Sequence, residues 1–384
     1  QELTDPDVIT LENVKLLSGS QTKDSGLVFG GETSGINDVI IKNCVIQPGV
    51  IVGYDKQQSA IGSFVGKLNG RIENSVSYAE VYGINNVGGL AAYKGQSMGA
   101  CEVVNSAFLG KIVATGSRAG GILAAGYISG SAPSTPPVTI RNCYVAANIT
   151  ANGGAIGGIL GSEEGAIGLV NRGAIRDNHF YGTITDTNPD AAARYKDVGG
   201  ILGKSGSYNA DLLTYQNNYY LTNANYTGLG SQAKVNATWQ PNEESFIAKT
   251  AEEFAGGDVL KLLNEGDFKN WQQGDKYPTV DLSKVVPVAL TISGEYKREY
   301  YIGDELDLSG AVFTLNMSDG SKQTLALSDI AISGYDKNTR AVQTLTASYG
   351  AVNVNFEVTV LKKPEQSTPG TNPNIIKVYF TLMG

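Results

Sequence analysis

The chain has one histidine, three cysteines and two tryptophans among 384 residues. A single histidine excludes a zinc centre built on a histidine pair, and no His-Glu-x-x-His occurs. A Ser-His-Asp triad would have to use His179, which sits at a strand position rather than in a nucleophile elbow. Charged residues make up 17% of the chain, less than the quarter usual in globular proteins. Such sparse charge argues against disorder and against a coiled coil. The net charge of −8 repels phosphate, so no nucleic-acid partner is expected. No apolar run reaches transmembrane length. No secretory signal begins at Gln1, so an exported protein would be represented by a mature or trimmed fragment. Ile375 to Leu382 reads as a fresh strand, so the parent protein is expected to continue.

Glycine, by contrast, is abundant at 48 residues, and 41% of the chain is hydrophobic. Together they suit many short strands joined by tight turns. The pattern behind them is a repeat. Asn13, Asn43, Asn74, Asn105, Asn142, Asp177 and Asn217 recur at spacings of 30, 31, 31, 37, 35 and 40 residues. Two positions earlier stand Leu11, Ile41, Ile72, Val103, Ile140, Ile175 and Tyr215. Seven positions later stand Val50, Val81, Ile112, Ile149 and Ile184. Five positions later come small or turn residues: Pro48, Ala79, Gly110, Ala147 and Gly182. A third segment precedes the Asn row, seen in Gly88-Gly89-Leu90-Ala91, Gly120-Gly121-Ile122-Leu123, Gly157-Gly158-Ile159-Leu160 and Gly199-Gly200-Ile201-Leu202, with Ser25-Gly26-Leu27-Val28 and Gly62-Ser63-Phe64-Val65 as variants.

A period in this range means stacked units. The fold class is mainly β: a parallel β-helix-like solenoid of about seven three-stranded coils, a small helical cap, then an Ig-like β-sandwich. Period-two alternation points the aliphatics inward and the intervening Glu12, Lys42, Glu73, Arg141 and Arg176 outward. The Asn row shares the inward parity at a corner, where stacked amides can bond from coil to coil. Paired glycines permit close backbone approach or positive φ at another corner. The insertions Ser129–Pro137 and Ala166–Gly173 lengthen two coils on one side.

The domains read as 1–224 (solenoid), 225–284 (cap region with one helix), 285–361 (sandwich) and 362–384 (linker and the start of a further domain). In the cap, Thr250-Ala-Glu-Glu253 is a capping box, and Phe254, Val259, Leu262 and Leu263 give helical spacing. Gly256-Gly257 weaken that helix and Gly266 is a plausible stop. Sandwich strands are expected at Ala289–Ser293, Ala311–Asn316, Gln323–Ala326, Gln343–Tyr349 and Val352–Val360.

Two resemblances follow from particular residues. Val198-Gly-Gly-Ile-Leu-Gly203 and Ile140-Arg-Asn-Cys-Tyr144 resemble the GLUG-motif repeats of bacterial surface proteins, and Trp271 with Tyr277-Pro278 resembles the close of such regions. Tyr301-Ile-Gly-Asp-Glu-Leu-Asp-Leu-Ser-Gly310, Ser318-Asp-Gly320, Ile332-Ser-Gly-Tyr335 and Phe356-Glu-Val-Thr-Val360 resemble a group 3 bacterial immunoglobulin-like domain. The resemblance implies a large exported, often wall-attached protein, and some such proteins carry peptidase domains elsewhere. It transfers no catalytic residue.

The candidates for chemistry are few. Cys44 and Cys143 occupy one repeat position three coils apart, roughly 14 Å at about 4.8 Å per coil, too far to bridge. Their counterparts Ser75 and Ser106 mark them as small buried fillers. His179 falls where other coils place Val45, Val76, Ala107 and Tyr144, a spacer in a stacked row. Glu163-Glu164, Glu243-Glu244 and Glu252-Glu253 are scattered carboxylate pairs. The first lies at the lip of an insertion, and the third charges a helix N-terminus. Asp304, Glu305 and Asp307 lack the spacing of an EF-hand loop. Aromatics gather in the later coils, and Tyr144, Phe180, Tyr181, Tyr219 and Tyr220 are the candidate ligand-binding row. Exposed, they would stack on sugars; buried, they would fill a widening core or shield an edge.

No catalytic residue, metal ligand or cofactor is expected. The expected function is a non-enzymatic cell-surface module, adhesin-like or a structural spacer, located outside the cell at the bacterial surface or wall. Its partners would be host or bacterial glycans or surface proteins, with attachment supplied by parts outside this fragment. The alternatives are a carbohydrate-active β-helix enzyme and an accessory region of a larger exported peptidase.

Overall fold

A computed structural model describes residues 8–12, 15–16, 21–22, 26, 38–53, 59–94, 101–127, 138–164, 173–190, 192–205, 213–232, 245–266, 268–282, 287–317, 322–350 and 352–363. Several sequence features lie outside them: Asn13, the insertion Ser129–Pro137, most of Ala166–Gly173, Glu243-Glu244, Ser318-Asp319-Gly320 and the segment from Pro364 onward. The chain divides into two compact units, Gln1–Val288 with Asn316–Lys322, and Ala289–Leu315 with Gln323–Gly384.

The first unit is a parallel β-solenoid, mainly of short strands. The row before the Asn corner pairs as its spacing demands. Leu11 opposes Ile41, Ile41 opposes Ile72, and the series runs on through Val103, Ile140 and Ile175 to Tyr215. Four coils carry five strands rather than the three expected, while the coil of Gly173–Phe180, Thr183–Asp186 and Val198–Ser205 has three. In the four, bends at the Asn row and at the glycine pair split two of the three faces, giving five short segments in three sheets. In one coil these are Cys101–Val104, Ala107–Phe108, Lys111–Ala114, Arg118–Gly120 and Leu123–Tyr127. The core row seven after Asn holds for Val81, Ile112, Ile149 and Ile184. Val50 does not belong to it, because Val81 pairs with Val52. The turn at Pro48-Gly49 adds two residues to that coil. Val50 instead accepts the Glu80 N–H, as Ala79 accepts that of Lys111.

The two corners work by different physics. Asn43, Asn74, Asn105, Asn142, Asp177 and Asn217 all have φ between 50° and 57°, the left-handed region that Asn and Asp tolerate best. Their side chains form the expected ladder: Asn105 Nδ2 donates to Asn74 Oδ1 at 2.8 Å, Asn142 Nδ2 to Asn105 Oδ1 at 2.6 Å, and Asn217 Nδ2 to Asp177 Oδ1 at 3.0 Å. The glycine corner needs space, not positive φ. A Cβ on Gly120 would stand 1.9 Å from Leu123 O, and one on Gly121 2.0 Å from Gly158 O.

A second buried ladder runs one residue after the first. Ser75 Oγ accepts from Cys44 N, Ser106 Oγ from Ser75 N, and Asn178 Oδ1 from Cys143 N. Cys44, Cys101 and Cys143 are free and buried. Burial pushes the Cys143 thiol up to about 12. Cys44 and Cys143 are the small fillers that the repeat register implies.

The second unit is a sandwich of a three-stranded sheet (Pro287–Ser293, Val312–Met317, Lys322–Leu325) and a four-stranded one (Glu299–Tyr301, Val352–Leu361, Val342–Tyr349, Ala331–Ser333). The five expected strands are present within two residues. Glu299–Tyr301 and Ala331–Ser333 add two that alternation over three residues cannot reveal. Tyr300 is fully buried, and its hydroxyl lies 2.7 Å from Asp307 O and 3.2 Å from Asp307 N.

Candidate functional site

The sequence places its aromatic candidates near the Asn row, and parity decides where each goes. Two residues after each Asn, the side chain points away from the solenoid core. That row is Val76, Ala107, Tyr144, His179, Tyr219 and Ile247, each directly opposite the next. Three residues after the Asn, Phe180 and Tyr220 point inward.

The outward row is apolar, and an apolar stripe must be covered. Residues 250–282, which follow the row's last member Ile247, cover it. The strand Phe246–Lys249 pairs with Leu213–Leu221, and helices α1 (Ala251–Gly256) and α2 (Asp258–Glu265) follow. The expected single helix is two, broken at Gly257 with φ 94°. The capping box is present: Thr250 Oγ1 accepts from Glu253 N and Glu253 Oε2 from Thr250 N. Phe254, Val259, Leu263, Trp271 and Val280 then pack on Val76, Ala107, Tyr144 and Tyr219. The described residues of 250–282 lie along the flank of the coils as a lateral strap. The core at the last coil is filled by the solenoid's own aromatics, Tyr215, Tyr220 and Tyr226, with Phe246 against them.

The strap is also bonded to the Asn ladder. Asn270 is buried; its Nδ2 donates to Asn105 Oδ1 at 2.7 Å, and its Oδ1 accepts from Asn142 Nδ2 at 2.9 Å. Beside it Phe268 lies 5.8 Å from the Arg141 guanidinium, a cation–π distance. Asn270 and Phe268 were not legible in the sequence as partners of the ladder. The available signal was the apolar row itself, which breaks the outward-polar pattern and so demands a cover.

His179 stands at the centre of the strap interface. It is fully buried, with Nε2 2.7 Å from the Pro278 carbonyl. That distance fixes the Nε2–H tautomer, since a carbonyl only accepts. Nδ1 has no hydrogen-bond partner among the described residues. The ring centroid lies 5.3 Å from Tyr144, 5.4 Å from Phe254, 5.3 Å from Trp271 and 6.0 Å from Tyr277. Burial in this aromatic cage pushes the imidazole down to about 4.

The candidate ligand-binding row is therefore corrected. Tyr144, Phe180, Tyr219 and Tyr220 are buried, and Tyr181 is half-buried against Phe254 and Tyr277. Two of the five fill the core and three lie under the strap, so they offer no exposed stacking row. Burial raises the Tyr144 phenol and holds that of Tyr219 at about 12.

Among the described residues the carboxylate candidates do not converge. Glu163 and Glu164 end the strand Leu160–Glu164, and their side chains lie outside the described residues. Glu252 and Glu253 charge the first turn of α1. Asp304 Oδ2 accepts from Tyr301 N, Asp307 Oδ1 accepts from Ser309 N, and Glu305 pairs with Lys337. These are turn and surface roles. Among the described residues no group of three or more His, Cys, Asp or Glu side chains could hold a metal ion.

Known proteins resemble parts of the chain. It is 34% identical over 102 residues to an exo-β-1,6-galactobiohydrolase of Bifidobacterium longum, covering 24% of this chain and 7% of that protein. It is 26% identical over 83 residues to pectate lyase L of Thermoclostridium stercorarium, covering 22% of this chain and again 7% of the relative. The chain thus spans less than a tenth of either relative. The solution structure of a candidate surface protein matches at 32% identity, covering 21% of this chain and 93% of the other, with a TM-score of 0.15. Residues 293–360 match the family model of the bacterial Ig-like domain (group 3).

Proposed function

We propose that this chain is a non-enzymatic segment of a larger extracellular protein at the bacterial surface, in which a GLUG-type solenoid acts as a rigid spacer or adhesin-like arm joined to an Ig-like module. One observation carries the reading: among the described residues, the sequence features that could have done chemistry are used in folding. His179, Tyr144 and Tyr219 lie beneath the strap, the cysteines pack as fillers, and Asp304 and Asp307 bind backbone amides of their own turns. A solenoid with its stripes covered is stiff and presents an extended surface, which suits spacing and display. Host or bacterial glycans and surface proteins are the partners that such a surface would meet. A second reading is supported by the two carbohydrate-active relatives: the solenoid would then be a carbohydrate-active β-helix enzyme.

One experiment separates these readings. The purified chain is tested on arrays of glycans and matrix proteins, and is incubated with pectin and β-1,6-linked galactans while new reducing ends and unsaturated products are followed. Binding without turnover is the adhesin outcome. Neither binding nor turnover leaves the spacer. Turnover that survives repurification overturns the non-enzymatic assignment.

A further inference from the structure

We propose that His179 is a proton-operated latch, whose protonation releases residues 250–282 from the solenoid flank and uncovers the apolar row running from Val76 to Ile247. The inference rests on the geometry of the strap interface. The chain's only histidine is placed where the strap and three coils meet. One ring nitrogen is used on the strap carbonyl of Pro278, and the other faces no acceptor among the described residues. A second proton would therefore be put on a nitrogen with nothing to receive it, in a fully buried site, where an added charge is costly.

The aromatic faces around the ring attract a cation only weakly, and no acceptor among the described residues meets Nδ1. From the neighbouring coils come Tyr144 and Tyr219, from α1 Phe254, and from the strap's last hairpin Trp271, Tyr277 and the Pro278 carbonyl. Asp177, two residues earlier on the same strand, is held by Asn217 and stands 4.0 Å from Arg176. Glu265 at the end of α2 and Asp177 act on Tyr219. Desolvation is the first cause acting on the imidazole, and the Pro278 bond only partly opposes it.

The sign follows from these values. With the strap closed, the imidazole titrates at about 4; with the strap open it returns to its ordinary value of about 6.5. Closure is fully supported above pH 6.5, weakens as pH falls towards 4, and changes no further below that. The opening constant should rise about tenfold per pH unit across the window, roughly 300-fold in all. Such an opening is local and leaves the coil core in place.

Hydrogen exchange on the whole chain tests this, with protection of peptides in 250–282 compared against those in 101–127 between pH 7.5 and 4.5. In the native protein, protection of the strap should fall with pH while that of the coils holds. In His179→Gln, which keeps a donor for Pro278 but cannot titrate, the pH dependence should vanish. His179→Phe serves the same purpose by filling the aromatic cage if the Gln variant folds poorly. A strap whose protection does not change with pH in the native protein overturns the latch, and so does an unchanged pH dependence in either variant.

Discussion

Replacing Gly158 with Ala should be among the most damaging single-methyl additions in the solenoid. A Cβ at that position would stand 2.0 Å from the Gly200 carbonyl oxygen and 2.4 Å from Phe180 Cγ. The aromatic ring could turn away. The carbonyl cannot, because it belongs to the backbone of the next coil. Relief therefore requires that neighbouring coils separate by more than an ångström, which strains the ladder bonds Gly158 N to Gly199 O and Ile159 N to Ile201 O. Overpacking costs about 1–3 kcal/mol, and each weakened bond adds about 1 kcal/mol. The expected loss is about 3–5 kcal/mol, a large share of the stability of a typical domain. Gly256→Ala is the matched control, since a Cβ there meets nothing within 4 Å and α1 should gain up to about 1 kcal/mol. Urea titrations followed by far-ultraviolet circular dichroism read both. A Gly158→Ala midpoint within the error of the native protein would refute the claim that the glycine pairs exist for close approach of successive coils.

Three further outcomes follow from the same geometry. Asn270→Ala should weaken strap docking by about 2–3 kcal/mol, having lost two amide bonds to the ladder. Red-shifted Trp271 emission in a Trp239→Phe background would report it, and unchanged emission would count against the strap's attachment to the ladder. Cys143, fully buried with its thiol held at about 12, should resist alkylation at pH 8 until the chain is unfolded; rapid native labelling would contradict its place in the core. Tyr300→Phe should destabilise the sandwich by about 1–3 kcal/mol, because Asp307 N and O lose their buried partner. A melting curve that keeps its Ig-like transition would refute that role.

The repeat was legible because it is one-dimensional. Ile41, Ile72, Val103, Ile140 and Ile175 recur at a near-constant spacing, and parallel stacking turns constant spacing directly into contact. The Asn ladder followed for the same reason, with the left-handed backbone that Asn tolerates as its local cause. The capping box at Thr250 was equally local. Register failed where a turn changed the count: Pro48-Gly49 moved Val50 out of the core row that spacing assigned it. The extra strands failed for a related reason, since two-residue segments between bends carry no period to read.

What the sequence alone determined was the stack, its core rows, its two kinds of corner and the Ig-like module that follows. Each is written in nearest-neighbour chemistry, repeated coil after coil. The tertiary structure decided the rest. It alone brought a strap from beyond residue 245 back across five coils, seated Asn270 between Asn105 and Asn142, and closed Pro278 over His179. Those contacts span 99 to 165 residues, and no periodicity specifies a partner at that range. The sequence marked an apolar row that needed covering. Only the folded chain supplied the cover, and in doing so it turned an apparent sugar-stacking face into an interior.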